Sequence, residues 1–440
     1  MKALVVGGGA REHCVAEALS NCGATVCCAM KNRNPGLARL AKDVRYVSET
    51  DVPKVVEYAK AMRVDLAVVG PEAPLEKGLV DEMAKAGIPS VGPTKSCARL
   101  ETSKSFTRGL LEKYHIPGNP EHRVFRSPDG LRDFIRDLGE YVVKDEGLCG
   151  GKGVRLSGEH LATFDDGVKY AEECIAKSGA AVVEEKFVGE EFSIQCLADG
   201  KTVVGSPLAQ DHKRAYEGDK GPNTGGMGSY SDANHLLPFL GQGEYDAALD
   251  ITRKVCSAIG KECGEPYRGV MYGGFIATAA GVRLIEYNAR YADPEVMNVL
   301  PLLESSSIEL FQAVVDGKLR DGISSYIYKA TVCKYVVPRG YGVKSEVGVP
   351  IAVDEKAIAS TGAKLYYASV NEDGGRVLTT TSRSLAVVGI DDTIAGAERK
   401  CEAALAHVKG DVYVRHDIGT AEAIKRKLAR MESLVRGRVN

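Results

Sequence analysis

A glycine-rich stretch with two lysines, residues 141–156, has the composition of a loop that holds a polyphosphate. Short β-branched runs flank it, and its interior contains Gly147, Gly150, Gly151 and Gly153. Glycines let successive backbone N–H groups approach phosphate oxygens closely, while Lys144 and Lys152 add positive charge. A Walker A loop is excluded, because Lys152 is followed by Gly153 rather than Ser or Thr. The pattern favours a flap over a nucleoside triphosphate, between antiparallel strands; an ordinary glycine-rich hairpin is the alternative.

Three polar residues alternate along residues 283–290, a stretch that is otherwise typical of an apolar strand. In a strand, Glu286, Asn288 and Arg290 share one face, because successive side chains point to opposite sides. Carboxylate and amide oxygens are suitable ligands for Mg²⁺ carried in by a nucleotide, and an arginine can clamp a carboxylate or phosphate. The stretch predicts a metal site beside an anion site, with a buried ion pair as the alternative.

Four acids interrupt two apolar runs within residues 181–192, and they are Glu184, Glu185, Glu190 and Glu191. This interruption is more typical of a hinge than of a core strand. Adenine can pair with a hinge backbone while a carboxylate accepts from the ribose hydroxyls. For Glu190, a solvated acidic turn is the competing interpretation.

Residues 210–230 form a long polar connection in an otherwise compact chain, and such connections are more often functional than idle. Asp211, Lys213 and Arg214 offer charge for a small zwitterionic or phosphorylated substrate. His212 is interpreted as a turn residue.

The first 102 residues alternate strand and helix signals, which predicts a parallel, doubly wound α/β domain. A nicotinamide cofactor at the glycine turn of residues 7–9 is disfavoured, because Glu12 replaces the third motif glycine and Lys31 stands where a ribose-binding acid is expected. A sugar phosphate suits this turn and the helix start after it, and a structural tight turn is the alternative. The candidates along this edge of the sheet are Gly8, Gly9, Arg11, Asn34 and Glu72.

Composition predicts several globular units, since the chain has 440 residues of which 44% are apolar. The net charge is −2, with 57 basic residues scattered among 59 acidic ones, so nucleic acid and membrane surfaces are poor candidate partners. No stretch approaches the length of a membrane span, and a strand follows Met1 directly. We therefore expect a cytoplasmic protein.

The twelve cysteines show no C-x-x-C pair. They are interpreted as reduced thiols used as small apolar residues. Cys149, inside the glycine-rich loop, is predicted to be the most accessible of them.

A helix is predicted to begin within residues 101–104, with Thr102 or Ser103 as its N-cap. Lys104 near its start could touch phosphate, although a surface lysine is the more common case. A compact α+β unit that contains the glycine-rich loop follows. The last hundred residues begin near Lys329 and carry strand signals and a helix over about residues 392–407, which predicts a small α/β cap.

The order of these segments resembles the phosphoribosylamine–glycine ligases, a family of ATP-grasp enzymes of purine synthesis. The resemblance extends over essentially the whole chain. It rests on Gly8-Gly-Ala-Arg-Glu-His13, Val69-Gly-Pro-Glu-Ala-Pro-Leu75, Gln210-Asp-His-Lys-Arg214, Gly221-Pro-Asn-Thr-Gly-Gly-Met-Gly228, Ile285-Glu-Tyr-Asn288, Asp293-Pro-Glu295 and Asp417-Ile-Gly419. Any one motif could occur by chance, but the ordered set is highly specific.

The resemblance implies a mixed α/β and α+β protein of three parts. They are an N-terminal doubly wound pre-ATP-grasp domain (residues 1–102), a two-part ATP-grasp domain (103–328) and a small C-terminal α/β domain (329–440). A small lid subdomain is expected over about residues 117–190, with ATP between the two halves of the ATP-grasp domain.

The resemblance also implies roles for individual residues. For ATP, the candidates are the phosphate-contacting Lys104 and Lys144, the flap residues Lys152 and Gly153, the adenine hinge Glu184, Glu185 and Phe187, and the ribose-binding Glu191. For the metal, they are Glu286 and Asn288. For the substrates, they are Gly8, Gly9, Arg11, Asn34, Glu72, Asp211, Lys213, Arg214, Arg290 and Pro294, and the candidate catalytic residues are Lys144, Asp211, Arg290 and Asp293.

The implied reaction is the ATP-dependent ligation of glycine to 5-phosphoribosylamine through glycyl phosphate, with ATP and Mg²⁺ or Mn²⁺ as cofactors. The expected partners are these small molecules, and the chain is expected to be a monomer or weak homodimer. Three alternatives are another ATP-grasp carboxylate–amine ligase, a nicotinamide oxidoreductase and a non-catalytic nucleotide sensor.

The sequence departs from the family pattern at three places. Ala292 stands where glycine usually precedes Asp-Pro-Glu, which reduces backbone freedom at that turn. Residues 144–152 read Lys-Asp-Glu-Gly-Leu-Cys-Gly-Gly-Lys, where Lys-Ala-Asp-Gly-Leu-Ala-Ala-Gly-Lys is more usual, which could alter loop closure. Residues 274–278 carry no acid, so phosphates, water or a residue that the sequence does not identify must complete the metal sphere.

Overall fold

The N-terminal part is built on a parallel sheet in a computed structural model that describes residues 1–148, 150 and 153–436. Its elements are β1 (Lys2–Val6), α1 (Ala10–Asn21), β2 (Thr25–Met30), α2 (Pro35–Leu40), β3 (Asp43–Tyr46), α3 (Val52–Met62), β4 (Leu66–Val69), α4 (Glu72–Glu76), α5 (Leu79–Lys85) and β5 (Ser90–Val91). The strand order is β3-β2-β1-β4-β5, and all neighbours are parallel. The chain adds β2 and β3 on one side of β1 and then β4 and β5 on the other side. This order confirms the predicted doubly wound fold.

An antiparallel sheet of four strands, which we call the lid sheet, carries the glycine-rich loop. This part comprises α6 (Arg99–Thr102), α7 (Lys104–Lys113), β6 (His122–Phe125), α8 (Leu131–Leu138), β7 (Tyr141–Asp145), β8 (Val154–Leu156), α9 (Phe164–Ser178) and β9 (Ala181–Glu185), with the strand order β6-β9-β7-β8. Val142 pairs with Leu156 and Lys144 with Val154, which confirms the predicted hairpin. Ser103, one of the two predicted caps, accepts from the backbone of Phe106 at the start of α7.

Two ten-residue strands form the floor of the central part. Its elements are β10 (Gly189–Ala198), β11 (Val203–Gly205), β12 (Gln210–Asp211), β13 (Arg214–Tyr216), β14 (Lys220–Asn223), β15 (Gly228–Ser231), α10 (Gln242–Cys263), β16 (Gly269–Thr278) and β17 (Gly281–Asn288). The floor sheet has the order β11-β10-β16-β17. Gly274 lies opposite Glu286 beside a β-bulge, so the polar end of β17 follows a local change in register.

The remaining chain adds a second large sheet to the central part. Its elements are α11 (Val296–Val299), a 3₁₀ turn (Leu300–Leu302), α12 (Ser307–Asp316), β18 (Ala330–Pro338), β19 (Pro350–Val353), α13 (Glu355–Ser360), β20 (Lys364–Tyr367), β21 (Val370–Asp373), β22 (Arg376–Thr379), β23 (Leu385–Asp391), α14 (Ile394–Leu405), β24 (Val408–Gly410), β25 (Val412–Val414) and α15 (Ala421–Arg436). The large sheet has the order β12-β15-β18-β23-β20, with β25 also paired to β18.

Residues 210–230 are therefore not an irregular connection. They contain four short strands, two of which, β12 and β15, extend the sheet of the C-terminal part. The expected C-terminal cap shares this sheet with the central part. These strands lack the alternation of apolar and polar residues that predicts a strand. They are stabilised by backbone pairing instead, so the sequence pattern does not reveal them.

The eleven cysteines among the described residues are free thiols, as predicted, and most of them are buried. Cys22 is the exposed one. Cys149 lies outside the described residues, so the prediction for it stays open. Within the described ranges, no helix is both long and apolar enough to span a membrane.

Candidate active site

A buried cluster of two cations and one carboxylate joins the lid sheet to β17. Lys144 Nζ lies 2.7 Å from Glu184 Oε2, and Arg108 holds the same carboxylate with Nε–Oε1 and Nη2–Oε2 distances of 2.6 and 2.9 Å. Lys144 also donates to the carbonyl oxygen of Ile285 at 2.9 Å. Each of the three charged side chains is less than a tenth exposed. The ammonium group of Lys144, near the end of β7, is thus held by Glu184 and by the backbone of Ile285.

The two partners of this ion pair have shifted pKa values. Burial lowers the pKa of Lys144 to about 8, although Glu184 opposes that shift. Burial alone would raise the pKa of Glu184, but Arg108 and Lys144 outweigh it and lower that pKa to about 2. The Glu184 carboxylate is therefore ionised and faces these cations, and its place in an adenine hinge stays a prediction.

Lys213 connects the residue predicted for the ribose to the acid predicted for the metal. Its Nζ lies 3.4 Å from Glu191 Oε2 and 3.6 Å from Glu286 Oε1. Burial would raise the pKa of Glu286, but Lys213, Lys144 and other nearby cations lower it below its usual range. The predicted site residues Glu191 of β10 and Glu286 of β17 therefore both lie near the ammonium group of Lys213, which follows β12.

Asn288 and Arg290 meet at Glu101, a residue that the sequence reasoning missed. Arg290 Nη2 lies 3.0 Å from Glu101 Oε1. In the amide orientation that satisfies both of its ends, Asn288 donates from Nδ2 to the same oxygen at 3.1 Å. The signal for Glu101 in the sequence is weak, since it is one acid directly before the N-cap of a predicted helix. Its partners lie almost 190 residues away along the chain.

Arg290 also approaches Glu72, from the carboxyl edge of the N-terminal sheet. Its Nε lies 3.4 Å from Glu72 Oε2 without hydrogen-bond geometry, and this buried donor has no hydrogen-bond partner among the described residues. Burial raises the pKa of Glu101 to about 7 despite the attraction of Arg290. Burial also acts to raise the pKa of Glu72, but Arg290 and Arg11 outweigh it and lower that pKa.

Asp293 is held by the C-terminal part. It accepts from the Tyr335 hydroxyl, and its Oδ2 lies 3.0 Å from Arg383 Nη2. Arg383 also donates to the carbonyl oxygen of Asp293 at 2.8 Å and to that of Gly226 at 3.0 Å. The Asp293–Pro294 peptide bond is cis. Arg383 was not predicted as a site residue, because the arginine and the acid are 90 residues apart.

Asp211 and Glu295 are two neighbouring carboxyl groups, and Lys213 is among the cations that act on both of them. Burial and the proximity of Glu295 raise the pKa of Asp211 well above its usual range, and burial also raises the pKa of Glu295. Asp211 Oδ1 accepts from the backbone of His212 at 2.7 Å, and Ser193 donates to Glu295 at 3.4 Å. Two carboxyl groups in such a site favour a bound proton or a bound cation.

The glycine turn of the N-terminal part lies next to Asp293, but its polar groups are already engaged. A Cβ on Gly9 would lie 3.9 Å from Asp293 Oδ2. The Gly9 N–H donates to Glu12 Oε2 at 2.6 Å, and Arg11 Nε is 2.5 Å from the other oxygen of Glu12. The fully buried Asn34 donates to the Gly8 carbonyl oxygen and caps α2. The Asn34 amide thus holds the turn, and its predicted contact with substrate is untested.

The flap is tied to the start of α7. Lys104 donates to the Gly147 carbonyl oxygen at 2.7 Å, and Glu146 accepts from the backbone of Ser105 at 3.0 Å. Gly153 accepts from the Asp145 N–H at 2.8 Å. Lys104 therefore contacts the backbone of the flap, and its contact with phosphate stays a prediction. Lys152, the second flap lysine, lies outside the described residues.

The segment between β9 and β10 is the predicted adenine hinge, and its side chains make separate contacts. Glu185 accepts from the backbone of Glu121 at 2.9 Å, and the Phe187 ring lies 5.8 Å from the guanidinium of Arg283. Glu190 is buried and pairs with Lys427 and Arg430 of α15, at 3.6 and 3.3 Å, so its interpretation as a solvated turn residue is wrong.

Arg214 and His212, two residues of the 210–214 motif, contact parts of the protein other than the Glu191 and Glu286 side chains that lie near Lys213. Arg214 donates to Glu159 and contacts His160 Nε2 at 2.8 Å, so it joins this segment to the lid. His212 is buried against Tyr230, and neither ring nitrogen has a hydrogen-bond partner among the described residues. Its interpretation as a turn residue is wrong, because the ring is part of the interior.

Comparison with known proteins gives one consistent family. Residues 1–101 match the N domain of phosphoribosylglycinamide synthetase, residues 102–296 its ATP-grasp (A) domain, and residues 331–421 its C domain. The chain is 52% identical over 439 residues to phosphoribosylamine–glycine ligase of Methanothermobacter thermautotrophicus, covering 99% of this chain and 100% of the relative. It is 46% identical to the Pyrococcus furiosus enzyme of the same name, covering 99% and 98%.

Solved structures agree with this result. The crystal structure of phosphoribosylamine–glycine ligase from Thermotoga maritima superposes with a TM-score of 0.80 at 26% identity, covering 95% of this chain and 100% of that one. A biotin carboxylase from Campylobacter jejuni superposes with a TM-score of 0.72 at 13% identity, covering 98% and 95%. At that identity the second likeness shows the fold alone.

Proposed function

The chain belongs to the phosphoribosylglycinamide synthetase family, and on that premise we propose that it ligates glycine to 5-phosphoribosylamine with ATP, through glycyl phosphate. The products are glycinamide ribonucleotide, ADP and phosphate. The enzyme is a carbon–nitrogen ligase of purine biosynthesis. The observation that carries the proposal is the match of the whole chain, in order, to all three domain models of this family.

ATP is assigned to the cleft between the lid sheet and the floor sheet. Lys144 and Lys104 approach this cleft from β7 and from the start of α7, and both supply positive charge for phosphates. Glu191 suits the ribose, since it stands at the start of β10 and more than half of its side chain is exposed. Glu185 and Phe187 flank it as the adenine hinge. Closure of the glycine-rich flap would keep water from an acyl phosphate.

The donors at the end of β17 fit a divalent cation. Glu286 is ionised, and Asn288 turns its Nδ2 toward Glu101, which leaves its Oδ1 directed away from that carboxylate. Both are hard oxygen ligands of the kind that Mg²⁺ and Mn²⁺ take. The described residues hold no group of three or more His, Cys, Asp or Glu side chains that could bind a metal alone, so we assign the ion to the ATP phosphates and these two residues. When bound, the ion neutralises phosphate charge.

The glycine ammonium is assigned to Asp211 and Glu295. Burial raises the pKa of both carboxyl groups although Lys213 acts against the shift at each of them, and an ammonium group would favour their ionised forms. Arg290, whose buried Nε has no hydrogen-bond partner among the described residues, suits an anionic group, either the glycine carboxylate or the sugar phosphate. Asp293, Pro294, Glu72 and the turn of residues 8–11 border the same space, where the phosphoribosylamine would enter.

The chemistry then needs positioning more than side-chain nucleophiles. A carboxylate oxygen of glycine attacks the γ-phosphorus, and the bond to the ADP oxygen breaks. The amine of phosphoribosylamine attacks the acyl carbon, phosphate leaves with the electron pair of the C–O bond, and the amine loses a proton. Lys144 and Arg290 stabilise the charge on the transferred phosphoryl group and on the carboxylate.

The test is ADP release in the presence of Mg²⁺, ATP and glycine, with phosphoribosylamine generated from ribose 5-phosphate and ammonia. Release that needs both glycine and the amine is the expected result. Release without glycine, or ATP binding without any release, would contradict the proposal. Light scattering of the same purified protein tests the prediction of a monomer or weak homodimer. We also propose that the enzyme is located in the cytoplasm.

A further inference from the structure

One carboxylate, that of Glu101, contacts the last residue of β17, Asn288, and the two residues that follow it. Its Oε2 accepts from the Ala289 N–H at 2.7 Å. Its Oε1 lies 3.0 Å from Arg290 Nη2 and accepts from Asn288 Nδ2 at 3.1 Å. Asn288 is the proposed metal ligand and Arg290 the proposed anion-binding residue, so a single side chain reaches both of them and the backbone between them.

The surroundings of Glu101 leave this carboxylate little freedom. Its side chain is 5% exposed. It lies on α6, which the neighbouring helix braces through a hydrogen bond from Thr107 Oγ1 to the Leu100 carbonyl oxygen at 2.8 Å. The backbone after Glu101 leads within three residues to Lys104, which holds the flap. The carboxylate therefore stands on a short rigid link between the flap and the metal strand.

The contacts that Glu101 makes decide which atoms its neighbours offer to ligands. Because Asn288 donates its Nδ2 to Glu101, the amide oxygen is the atom left for a cation. Arg290 Nη2 lies 3.0 Å from Glu101 Oε1, and Nη1 donates to the Tyr291 carbonyl oxygen at 3.2 Å. The buried Nε, 3.4 Å from Glu72 Oε2, is the donor that has no hydrogen-bond partner among the described residues. Without Glu101, the Asn288 amide loses the acceptor that sets its orientation, and Arg290 loses its closest carboxylate.

We propose that Glu101 is a positioning residue that sets the Asn288 amide for the divalent cation and the Arg290 guanidinium for an anionic substrate group at the same time. The inference rests on the proposed ligase function and goes beyond it, since it couples two parts of the site through a side chain that touches neither ligand. Losing the carboxylate should weaken metal binding together with the binding of the substrate, glycine or phosphoribosylamine, whose anionic group Arg290 holds.

Glu101→Gln is the sharpest variant, because it keeps the size of the side chain. Three donors face the carboxylate, and glutamine has one acceptor oxygen and an amide group that can only donate. A role limited to filling space or accepting from Ala289 survives this change, whereas the joint orientation of Asn288 and Arg290 does not. Glu398→Gln is the matched control, since Glu398 pairs with the fully buried Lys334 at 2.8 Å in the C-terminal sheet.

Two constants are measured for each folded variant. One is the KM, in the ADP-release assay, for the substrate whose anionic group Arg290 holds, so glycine and phosphoribosylamine are each titrated. The other is the dissociation constant of Mn²⁺ in the presence of ADP, from electron paramagnetic resonance. In Glu101→Gln we expect each constant to rise roughly tenfold, the scale of one charged hydrogen bond, with ATP binding in EDTA unchanged. Glu398→Gln should lose stability and keep both constants.

A Glu101→Gln protein that loses only stability, or that changes one constant without the other, would overturn the proposal. If this variant does not fold, Glu101→Asp replaces it, because aspartate keeps the charge but is too short to hold all three donors, and the same joint rise is required. Wild-type protein that shows no glycine-dependent ADP release would contradict the ligase function instead, and the Mn²⁺ constant would still test the positioning role.

Discussion

The nucleotide end and the acyl end of the candidate site pair their charges in opposite ways. At the nucleotide end, Lys144 and Arg108 share the Glu184 carboxylate, and Lys213 lies between Glu191 and Glu286. At the acyl end, burial raises the pKa values of Asp211 and Glu295, and Arg290 Nε, 3.4 Å from Glu72 Oε2, has no hydrogen-bond partner within the described part of the chain. We call the first end balanced, because its charges lie in close ion pairs, and the second unbalanced, because it keeps two carboxyl groups with raised pKa values.

This difference indicates which ligand completes which end. Burying a charge costs free energy unless the charge is paired. Because the charges of the nucleotide end are paired with one another, this end can adopt its folded arrangement before ATP binds. The acyl end carries charges whose cost falls when an ammonium group and an anion arrive together. A zwitterion such as glycine supplies both signs. Specificity for it then follows from unpaired protein groups as well as from shape.

The largest effect is expected at the boundary between the two ends. Glu286→Ala should reduce MgATP turnover on the order of a thousandfold, because it removes the one carboxylate proposed for the metal. Circular dichroism and the urea midpoint should stay near wild type. Glu304→Ala, at an exposed acid, is the control and should keep full activity. Full activity in Glu286→Ala would remove Glu286 from the metal site.

The balanced end can be broken by removing one of its cations. Arg108→Met should lower the free energy of unfolding by about 3 kcal/mol, because Glu184 stays buried with one cation fewer. Arg39→Met is the matched control, since the Arg39–Glu355 pair is about half exposed and should cost at most about 1 kcal/mol. Urea denaturation measures both. Equal losses in the two variants would show that burial does not strengthen the Glu184 cluster.

The pKa of Lys144 makes ATP binding sensitive to pH. Because burial lowers that pKa to about 8, the ammonium is mostly charged at pH 7 and mostly neutral at pH 9. The dissociation constant of metal-free ATP should therefore rise about tenfold between these values, as measured by calorimetry. Lys144→Arg keeps its charge throughout and should show a flat profile. A flat wild-type profile would contradict a role for Lys144 charge in binding.

The unbalanced end can be relieved by Asp211→Asn. Since the folded protein raises the pKa of Asp211, its charge costs stability at pH values above the ordinary aspartate range. Asparagine should raise the free energy of unfolding by about 1 kcal/mol at pH 7, while the KM for glycine rises. The stability gain should vanish at pH values below the ordinary aspartate pKa, where the unfolded and folded carboxyl groups are both protonated. A destabilised Asn variant at pH 7 would show that the Asp211 charge is already compensated.

The smallest effect concerns the departure at Ala292. Its φ is not positive, its side chain is buried, and its N–H donates to Gln195 Oε1 at 2.8 Å, so alanine suits the local backbone. Ala292→Gly should lower the free energy of unfolding by about 0.5–1 kcal/mol through the entropy of the unfolded chain. Turnover should change by no more than about twofold. A large gain in turnover would mean that alanine restricts the acyl end.

Much of the fold followed from local patterns in the sequence. The alternation of strands and helices in the first 102 residues predicted the doubly wound sheet, and the β-branched runs around the glycine loop predicted the β7–β8 hairpin. The spacing of two predicted one shared strand face for Glu286, Asn288 and Arg290. The strand β17 ends at Asn288, so it contains only the first two, and Arg290 meets Asn288 at Glu101 instead. Such patterns predict strands and helices because the backbone geometry of each element repeats, which places side chains on the same face at a fixed spacing.

The partners of the charged groups were decided by the tertiary structure alone. Glu101 finds Arg290, Asp293 finds Arg383, and Glu190 is buried by a helix that returns some 240 residues later. No local period records such contacts, because they depend on which surfaces meet once the sheets have packed. The sequence by itself determined which charged and polar groups the chain offers. The packing of the lid, floor and C-terminal sheets determined which of those groups meet, because residues far apart in sequence come together only when the sheets pack.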